Sequence, residues 1–465
     1  MPSASTIQTL TQLSYLIAAA LFILGLKRMS SPVTAVSGVR WAGVGMLLAT
    51  IVTLAFMGAS SLNLMLVIIA IAIGTVIAWV SGKRVAMTDM PQMIALYNGM
   101  GGGAAAAIAA VELYSGNEHN PVHLTMAAVG GFIGAVSFSG SLIAFAKLQG
   151  LITKSVRFSG QKFVNLAILL ITVGFGFMVV SGVGADSGLP VVSLLFVSAL
   201  ILGVAMTLPI GGADMPVVIS LYNALTGLAV GFEGFVLDNA AMIIAGTVVG
   251  SAGTLLTQLM AKAMNRSLGN VLFSNFGETS VAGGGAAGTQ KPIEASDAGV
   301  MMAYSQKIII VPGYGLAVAQ AQHKVWELTQ LLMDHGVKVR FAIHPVAGRM
   351  PGHMNVLLAE AGVPYDLISD LDEINAEFET ADVALIIGAN DVVNPDARSN
   401  KNSPIYGMPI LNADKAKNVI VIKRGQGQGF SGIDNALFVL DQTRMLYGDA
   451  QAAVSQLIQA VKAAG

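Results

Sequence analysis

Long apolar stretches dominate the first 265 residues of the chain, and polar residues concentrate in the short segments between them. A membrane-spanning helix needs about 20 consecutive, mostly apolar residues. The pattern contains about nine such stretches and therefore predicts a polytopic α-helical membrane domain over residues 1–265. The stretches are Ile7–Leu26, Trp41–Phe56, Leu62–Val80, Met90–Val111, Leu124–Ala146, Phe163–Val180, Val191–Leu208, Val217–Phe235 and Ala240–Ala261.

The pattern changes after a segment rich in Gly, Ala, Ser and Thr, which predicts a flexible linker over residues 266–300. Over residues 301–465, short β-rich runs alternate with helical stretches, and this alternation favours a doubly wound parallel sheet of the Rossmann-like α/β class. The predicted strands are Lys307–Val311, Val337–Ile343, Asp366–Ile368, Val383–Ile387 and Val419–Ile422. Helices are expected from the first strand's end to His335, around Met354–Ala361 and from Ala450 onward.

The composition is that of a membrane protein. Hydrophobic residues make up 54% of the chain, charged residues make up 11%, and the mean hydropathy is +0.70. The net charge of -1, without a long basic block, argues against nucleic-acid binding. There is no cysteine, which excludes thiolate metal sites, cysteine-ligated iron–sulfur clusters and thiol redox chemistry, so we expect no metal site.

Lys and Arg residues predict the orientation in the membrane, because these residues concentrate in cytoplasmic loops. They follow the first, third, fifth and ninth apolar stretches, whereas the intervening loops carry only acidic charges. We therefore expect a multi-pass membrane protein with its N-terminus outside and its C-terminal domain in the cytoplasm. The membrane in which we expect it is a bacterial inner membrane. The first stretch lacks a basic leader and is expected to be a retained helix rather than a cleaved signal.

A motif within the membrane domain occurs twice, at a constant offset of 125 residues. Asp89-Met90-Pro91, followed by Tyr97-Asn98, recurs as Asp214-Met215-Pro216, followed by Tyr222-Asn223. One interpretation is helix capping, since Asp is a preferred N-cap and Pro is tolerated in the first turn.

The two asparagines favour a second interpretation. Asn98 and Asn223 lie about two and a half turns into their helices, where an amide that faces lipid is costly. We therefore expect them to face the bundle interior or water and, with Asp214, to belong to an ion path. Glu112 and Glu233, near the opposite ends of the same helices, are either its outer mouth or ordinary interfacial carboxylates.

The first predicted strand runs directly into Pro312-Gly313-Tyr314-Gly315, a turn type that brings the backbone close to a pyrophosphate at a helix N-terminus. The next strand leads into His344–Arg349, without the acidic residue that an NAD site usually places there for the ribose 2′-hydroxyl. The missing carboxylate removes a repulsion against a 2′-phosphate. NADP(H) is therefore the expected ligand.

Two further strand ends carry candidate ligand residues. Lys423 and Arg424 precede a glycine-rich loop, and they form either a phosphate clamp or a solvated basic pair. Gly388-Ala389-Asn390-Asp391 follows another strand. Asp391 either accepts a hydrogen bond from the nicotinamide ribose or carboxamide, or caps the next helix.

These residues together resemble the β subunit of proton-translocating NAD(P)+ transhydrogenase over essentially the whole chain. The resemblance is carried by Gly211–Val218, Ala263–Ser267, Val311–Gly315, His344–Glu360 and Gly388–Asp391, and His344–Glu360 is the most specific segment. It implies an enzyme that passes hydride from NADH, bound on a separate α subunit, to NADP+ bound here, coupled to inward proton flow. It also implies α-subunit partners with further membrane helices and a dimer of αβ units.

The resemblance implies a set of NADP(H)-binding residues in the C-terminal domain. They are Gly313, Tyr314, Gly315, Val346, Ala347, Gly348, Arg349, Met350, Pro351, Gly388, Ala389, Asn390, Asp391, Gly407, Met408, Lys423, Arg424, Gly425, Gly427, Gly429, Phe430, Asp449 and Ala450. In the membrane domain, many members of the family carry a histidine, treated as the proton carrier, where this chain has Asn98. An amide does not titrate, so we expect the carrier on a partner helix, the alternative being water and carboxylates such as Asp214.

Two other classes of protein share some of these features. A membrane transporter or channel regulated by an NADP(H)-sensing domain would bind the nucleotide without a hydride acceptor. A quinone-linked membrane oxidoreductase usually needs flavin, haem or metal, and the sequence carries no motif for any of these.

Overall fold

The computed structural model describes residues 4–56, 61–115, 120–152, 156, 158–182, 190–211, 214–265, 269, 288–350, 352–403, 405–425 and 433–464. The chain divides into two compact units. The first comprises Met1–Ile210 and Val218–Thr257, and the second comprises Gly211–Val217 and Gln258–Gly465.

Nine apolar helices form at the nine predicted stretches. They are α1 Ala4–Met29, α2 Pro32–Phe56, α3 Ser61–Arg84, α4 Met90–Tyr114, α5 Pro121–Leu148, α6 Gln161–Ser181, α7 Val191–Thr207, α8 Met215–Val236 and α9 Ala240–Ala263. Within the described ranges, eight are long and apolar enough to cross a membrane, and α7, with 17 residues, is shorter. The predicted polytopic helical fold is confirmed.

Helix α2 begins nine residues before the predicted stretch. Pro32 is the first residue of the helix, a position at which proline's missing N–H and fixed φ are tolerated. Arg40, one of the basic residues between the first two predicted stretches, therefore lies inside α2 and not in a loop. The neighbouring Trp41 ring is covered by the Arg28 guanidinium, whose central carbon is 5.3 Å from the ring centroid.

Small residues allow the helices of the first unit to approach closely. Helix α5 packs against α4, α6 and α7. A Cβ atom on Gly134 of α5 would lie 2.7 Å from the carbonyl oxygen of Gly102 on α4, so the two backbones are nearly in contact. Such close packing is typical of membrane helices, whose association depends on van der Waals contact rather than on the exclusion of water.

The second unit contains a six-stranded, wholly parallel sheet in the order β3-β2-β1-β4-β5-β6. The strands are β1 Lys307–Pro312, β2 Lys338–Ile343, β3 Ile368–Asp370, β4 Val383–Ile387, β5 Asn418–Lys423 and β6 Thr443–Tyr447. Chain order reverses between β1 and β4, which is the switch point of a doubly wound sheet. The predicted Rossmann-like class is confirmed.

Helices pack around this sheet. They are α10 Ala295–Ala303, α11 Tyr314–Val318, α12 Gln322–Asp334, α13 His353–Glu360, α14 Leu371–Ile374, α15 Asp396–Ser399 and α16 Ala450–Ala464. The single helix predicted between β1 and His335 is wrong, because Gln320 has a φ of +51° and separates α11 from α12.

Part of the predicted linker lies against the sheet. The Ile293 N–H donates to the Met445 carbonyl at 3.0 Å, and the Met445 N–H donates to the Lys291 carbonyl at 2.8 Å. This short segment covers the edge strand β6, whose backbone groups would otherwise lack partners on that side. The predicted linker, residues 266–300, also includes the first six residues of α10. Most of its other residues lie outside the described ranges.

Candidate functional site

A cleft of about 440 Å³ lies at the carboxyl ends of the central strands of the second unit. Doubly wound sheets bind their ligands at this place, outside the switch point between the two halves of the sheet. The cleft is lined by Met264, Gly313, Tyr314, Gly315, Val318, Val346, Ala347, Gly348, Gly388, Ala389, Asn390, Asp391, Val392, Met408, Ile422, Lys423, Arg424, Gly448 and Ala450.

The turns after β1 and β4 pack backbone against backbone. The Gly315 N–H donates to the Gly388 carbonyl at 3.0 Å, and the Gly313 N–H donates to the Ile387 carbonyl at 2.9 Å. A Cβ atom on Gly313 would lie 2.4 Å from the Gly388 oxygen, and one on Gly388 would lie 2.4 Å from the Leu316 nitrogen. Gly388 also has a φ of +70°. The glycines therefore bring the two strand-end turns together at the switch point.

Two histidines hold the loop after β2. The buried His344 accepts the Val346 N–H on Nδ1 at 3.2 Å, so its Nε2–H donates to the Pro409 carbonyl at 2.8 Å. His353 accepts the Arg349 N–H on Nδ1 at 3.0 Å. Burial lowers the pKa of His344 to about 4, and burial and the Arg349 charge lower the pKa of His353. Both imidazoles are therefore neutral at pH 7, as these acceptor roles require.

The loop after β2 also contacts the turn after β1. The guanidinium carbon of Arg349 lies 4.3 Å from the centroid of the Tyr314 ring, a cation–π geometry. The His353 ring also lies near Tyr314, tilted against it at a centroid separation of 6.3 Å. Tyr314 is thereby held at the cleft by two residues of the following β-α connection.

Two basic side chains lie where β5 ends. Burial lowers the pKa of the half-buried Lys423, against the opposing effects of Asp434 and Asp391, and its Nζ is 4.8 Å from the centroid of the Phe438 ring. Arg424 forms an ion pair with Asp449 at 3.0 Å. Asp449 also accepts the Gln451 N–H at 3.1 Å, at the start of α16. The cleft thus contains a Lys and Arg pair beside a helix N-terminus.

Asparagines organise the loop after β4. The Asn435 carboxamide donates to the backbone carbonyl of Asn390 at 2.9 Å and to its side-chain oxygen at 3.0 Å. Asp391 begins a 3-10 turn that ends at Val393. The sequence leaves open whether Asp391 caps a helix or contacts a ligand, and the structure places Asp391 in the lining of the cleft.

The segment that follows α9 reaches the same cleft. Met264 is part of its lining, and the Asn265 carboxamide donates to the Tyr406 carbonyl at 2.6 Å. Gly407 has a φ of +80°, and a Cβ atom there would lie 2.4 Å from the Asn265 side chain. Asn265 is therefore fitted against the turn that leads to Met408.

Polar side chains also meet inside the first unit. The Asn98 carboxamide on α4 donates to the Ser141 hydroxyl on α5 at 3.0 Å. One turn away on α5, Ser137 shares a hydrogen bond of 2.6 Å with Thr226 of α8. Tyr222 is buried and bonds Thr207 through its hydroxyl at 2.6 Å. Asn98 is thus placed between helices, as expected.

The two copies of the repeated motif differ in their surroundings. Asn223 is exposed in this chain, whereas its counterpart Asn98 is half-buried. Asp214 is buried. Asp89 makes no side-chain hydrogen bond to the backbone of α4, and it accepts instead from the Gln92 carboxamide at 3.1 Å. Capping alone therefore does not account for Asp89.

Known proteins resemble the chain over nearly its full length. The sequence profile of a family described as NAD(P) transhydrogenase beta subunit matches residues 11–460. A relative named NAD(P) transhydrogenase subunit beta, from Rhodospirillum rubrum, is 46% identical over 466 residues, which covers 97% of this chain and 99% of the relative. A second relative of the same name, from one strain of that species, gives the same identity and coverage.

The chain belongs to the NAD(P) transhydrogenase β-subunit family. The predicted family and enzyme class are therefore confirmed. Apolar helices of membrane-spanning length, followed by a parallel-sheet domain, agree with membership in this family. Among the described residues, no group of three or more His, Asp or Glu side chains is placed to hold a metal ion.

Most of the nucleotide-binding residues predicted for this transhydrogenase subunit come together. Those that line the cleft are Gly313, Tyr314, Gly315, Val346, Ala347, Gly348, Gly388, Ala389, Asn390, Asp391, Met408, Lys423, Arg424 and Ala450. Arg349 and Asp449 contact lining residues, and Gly407 precedes Met408. Met350 and Gly425 are not part of the lining. Pro351, Gly427, Gly429 and Phe430 lie outside the described residues.

Five lining residues were not predicted. Val318, Val392, Ile422 and Gly448 each lie within three residues of a predicted one, so extending each motif by a turn would have included them. Met264 lies far away in sequence. Its only sequence signal was its place in Ala263–Ser267, one of the segments that resemble the family.

Proposed function

We propose that the cleft binds NADP(H), with the pyrophosphate at the turn after β1 and the 2′-phosphate at Lys423 and Arg424. The observation that carries this proposal is that the basic pair and the Gly313–Gly315 turn line one cleft at the switch point. Arg is suited to bidentate phosphate contacts, and Lys adds a second charge. The loop after β2 adds Arg349 and no carboxylate between His344 and Met350.

Selectivity for NADP(H) follows from these charges. A 2′-phosphate gains charge-assisted hydrogen bonds from the basic pair, each worth roughly 1.5–3 kcal/mol. NAD(H) has a neutral hydroxyl in place of the 2′-phosphate, so it cannot form a hydrogen bond between opposite charges with Lys423 or Arg424. The backbone contacts of the β1 and β4 turns serve both nucleotides alike.

The reaction is a direct hydride transfer from NADH, bound on an α subunit, to the NADP+ held here. The residues of this chain then have no acid, base or nucleophile role in that step. Tyr314 is clamped by Arg349 and His353, and Asn390 by Asn435, so both loops present fixed contacts to the nucleotide. The chain contributes by positioning the nicotinamide ring of NADP(H). Its affinity for the nucleotide changes during the catalytic cycle.

Coupling to proton movement is supported by the segment after α9. This segment continues from a membrane helix, and its residues Met264 and Asn265 contact the cleft and the Tyr406–Met408 turn. A shift of the segment would therefore alter the cleft lining. In the membrane, the path is supported by Asn98 and Ser141 between α4 and α5 and by the buried Asp214. The exposed Asn223 is free to face a helix of the α subunit.

The proposal also covers the domains of the chain, its membrane and its partner subunits. Residues 1–265 form the transmembrane domain, residues 266–300 connect it, and residues 301–465 form a cytoplasmic NADP(H)-binding domain in a bacterial inner membrane. The chain works with α subunits that carry the NAD(H) site and further membrane helices, as a dimer of αβ units. The titrating histidine that Asn98 replaces is supplied by a helix of that partner.

Calorimetry on the purified full-length chain tests the binding site. We expect NADP+ to bind at least about 100-fold more tightly than NAD+, because two charged contacts are at stake. Equal affinities would contradict the 2′-phosphate assignment. Addition of the NADH-loaded α subunit should then reduce bound NADP+. If NADP+ binds but is never reduced, a transporter regulated by an NADP(H)-sensing domain explains the chain better.

A further inference from the structure

Glu233 is a fully enclosed carboxylic acid in the last turn of α8. Its exposed fraction is 0%, and neither carboxyl oxygen has a hydrogen-bond partner among the described residues. Of the Asp and Glu side chains that the structure describes, only Asp214 and Glu233 are buried. Glu233 therefore does not lie on the surface of the helices that surround it.

The neighbouring helix α5 leaves a space for this carboxyl group. A Cβ atom on Gly130 would lie 2.2 Å from one oxygen of Glu233 and 3.0 Å from the Cβ of Phe232. Any larger residue at position 130 would displace the carboxyl group. The site is thus built by two helices, with glycine on one and the acid on the other.

The charged and titratable groups around Glu233 come from α4, from α5 and from the turn after α8. Glu112 of α4 is half-buried and close enough to interact electrostatically with Glu233. His123, in the first turn of α5, is half-buried and packs on Phe235 with a centroid separation of 5.4 Å. Asp238, after α8, is exposed, and the first two turns of α9 carry no titratable residue.

This grouping favours a site that exchanges a proton. Holding an ionised carboxylate in a buried place without a counter-ion costs several kcal/mol, and a second carboxylate nearby adds to that cost. When the carboxylate binds a proton, its negative charge is removed. When the carboxyl group releases that proton, the carboxylate can accept another. The amide of Asn98 offers no such exchange.

We propose that Glu233 is a proton-binding site of the membrane unit, loaded and emptied by way of Glu112 and His123. The proton adds to a carboxylate oxygen as an O–H bond and leaves by breaking the same bond, so no other reactant is involved. Asp214 and Glu233 lie at opposite ends of α8, about 28 Å apart at the rise of a helix. Glu233 therefore serves the end of the path away from Asp214. This inference rests on the proposed proton-coupled function.

The test uses the complete complex of this chain and its α subunits, reconstituted in lipid vesicles. Glu233→Gln keeps the size of the side chain but cannot titrate. We expect it to slow proton pumping driven by NADPH oxidation roughly 100-fold, the scale of losing a proton-transfer group. NADP(H) affinity should stay unchanged. The matched control is Asp238→Asn, an exposed carboxylate at the same end, which should pump like the wild type.

The outcomes separate this inference from the function on which it rests. Absence of pumping by the wild-type complex would overturn the proposed function itself. Pumping by the wild type and equally by Glu233→Gln would overturn only the role of Glu233.

Infrared difference spectroscopy provides a second measurement, which begins with the wild-type complex. The wild-type complex should show the carbonyl band of a buried protonated carboxylic acid that appears and disappears as the pH changes. In Gly130→Ala, where the new methyl group would press on the carboxyl, the midpoint of this band should shift. A wild-type spectrum without such a band at any pH, or an unshifted midpoint in Gly130→Ala, would contradict the proposal.

Discussion

The guanidinium of Arg424 is paired with the carboxylate of Asp449 at 3.0 Å, which joins the end of β5 to the start of α16 at the cleft. The two side chains are 62% and 45% exposed, so the pair is worth at most about 1 kcal/mol. A phosphate group offers Arg424 a stronger, bidentate partner. The ion pair therefore holds the guanidinium near the cleft without competing strongly with a nucleotide.

Replacement of Arg424 by alanine should weaken NADP(H) binding about 10- to 100-fold, the loss of one charge-assisted hydrogen bond. Binding of NAD(H) should change little. Calorimetry on the purified chain checks both. Arg398→Ala is the matched control, because Arg398 is also paired with an aspartate, Asp414, but does not line the cleft. Equal NADP(H) affinities for the two variants would show that Arg424 is only a solvated charge.

Gly388 should tolerate no side chain. It has a φ of +70°, and a Cβ atom would lie 2.4 Å from the Leu316 nitrogen, whereas Gly336 has a similar φ of +82° with open space around it. Both Gly→Ala changes strain the backbone. Only Gly388→Ala also overpacks the turn, which should lower the free energy of unfolding by a further ~1–3 kcal/mol, the usual cost of overpacking. Urea unfolding of fragment 291–465, which we expect to fold alone, measures the difference. Equal losses would contradict the tight contact between the β1 and β4 turns.

The stability of the same fragment should fall in mild acid because of His344. Burial holds its folded pKa at about 4, below the ordinary 6.5, so between these values the unfolded chain binds a proton that the folded chain does not. This stability is complete above pH 6.5 and is lost as the pH falls towards 4, by about 3 kcal/mol. Unfolding free energies from pH 7 to 4 should show a shallower slope for His344→Gln. His323→Gln, which changes an exposed histidine, should keep the full slope.

The strands of the sheet could be predicted where both faces are buried. β1 and β4 lie in the centre of the sheet and appear in the sequence as unbroken apolar runs, Ile308–Val311 and Val383–Ile387. The edge strand β6 contains Arg444 and Thr443 and gives no such run, so it was missed. Cleft residues could be predicted where a strand is followed by glycines or charged residues, because such segments are visible in the local sequence.

The rest depends on tertiary contacts that no local pattern specifies. The repeated motif correctly indicates that α4 and α8 begin at equivalent residues, Met90 and Met215. It does not indicate which neighbours each helix meets. Asn98 faces Ser141 on α5, whereas Asn223 is exposed and Tyr222 takes the interior position. Met264 lines the cleft because the chain after α9 passes beside it. Nothing about a methionine at this position predicts that location.

Asn98 and Ser141 should act as a pair in proton translocation. If their 3.0 Å hydrogen bond orders a water chain, Asn98→Ala and Ser141→Ala should each slow coupled turnover, and the double variant should be little slower than either. The measurement is the initial rate of pumping in lipid vesicles. Ser198→Ala, on α7, is the control, because among the described residues its hydroxyl bonds only within its own helix. Fully additive effects of the two changes would show that the bond has no part in coupling.

We expect hydride transfer to or from NADP(H) in this cleft to be coupled to proton movement through the membrane. The most direct measurement follows both in vesicles that contain the complete complex with its nucleotide domains outside, supplied with NADPH and an NAD+ analogue of distinct absorbance. We expect the lumen to acidify as the analogue is reduced, and we expect an uncoupler to abolish the acidification while it accelerates the reduction. Reduction at an uncoupler-independent rate, with no change of lumen pH, would contradict it.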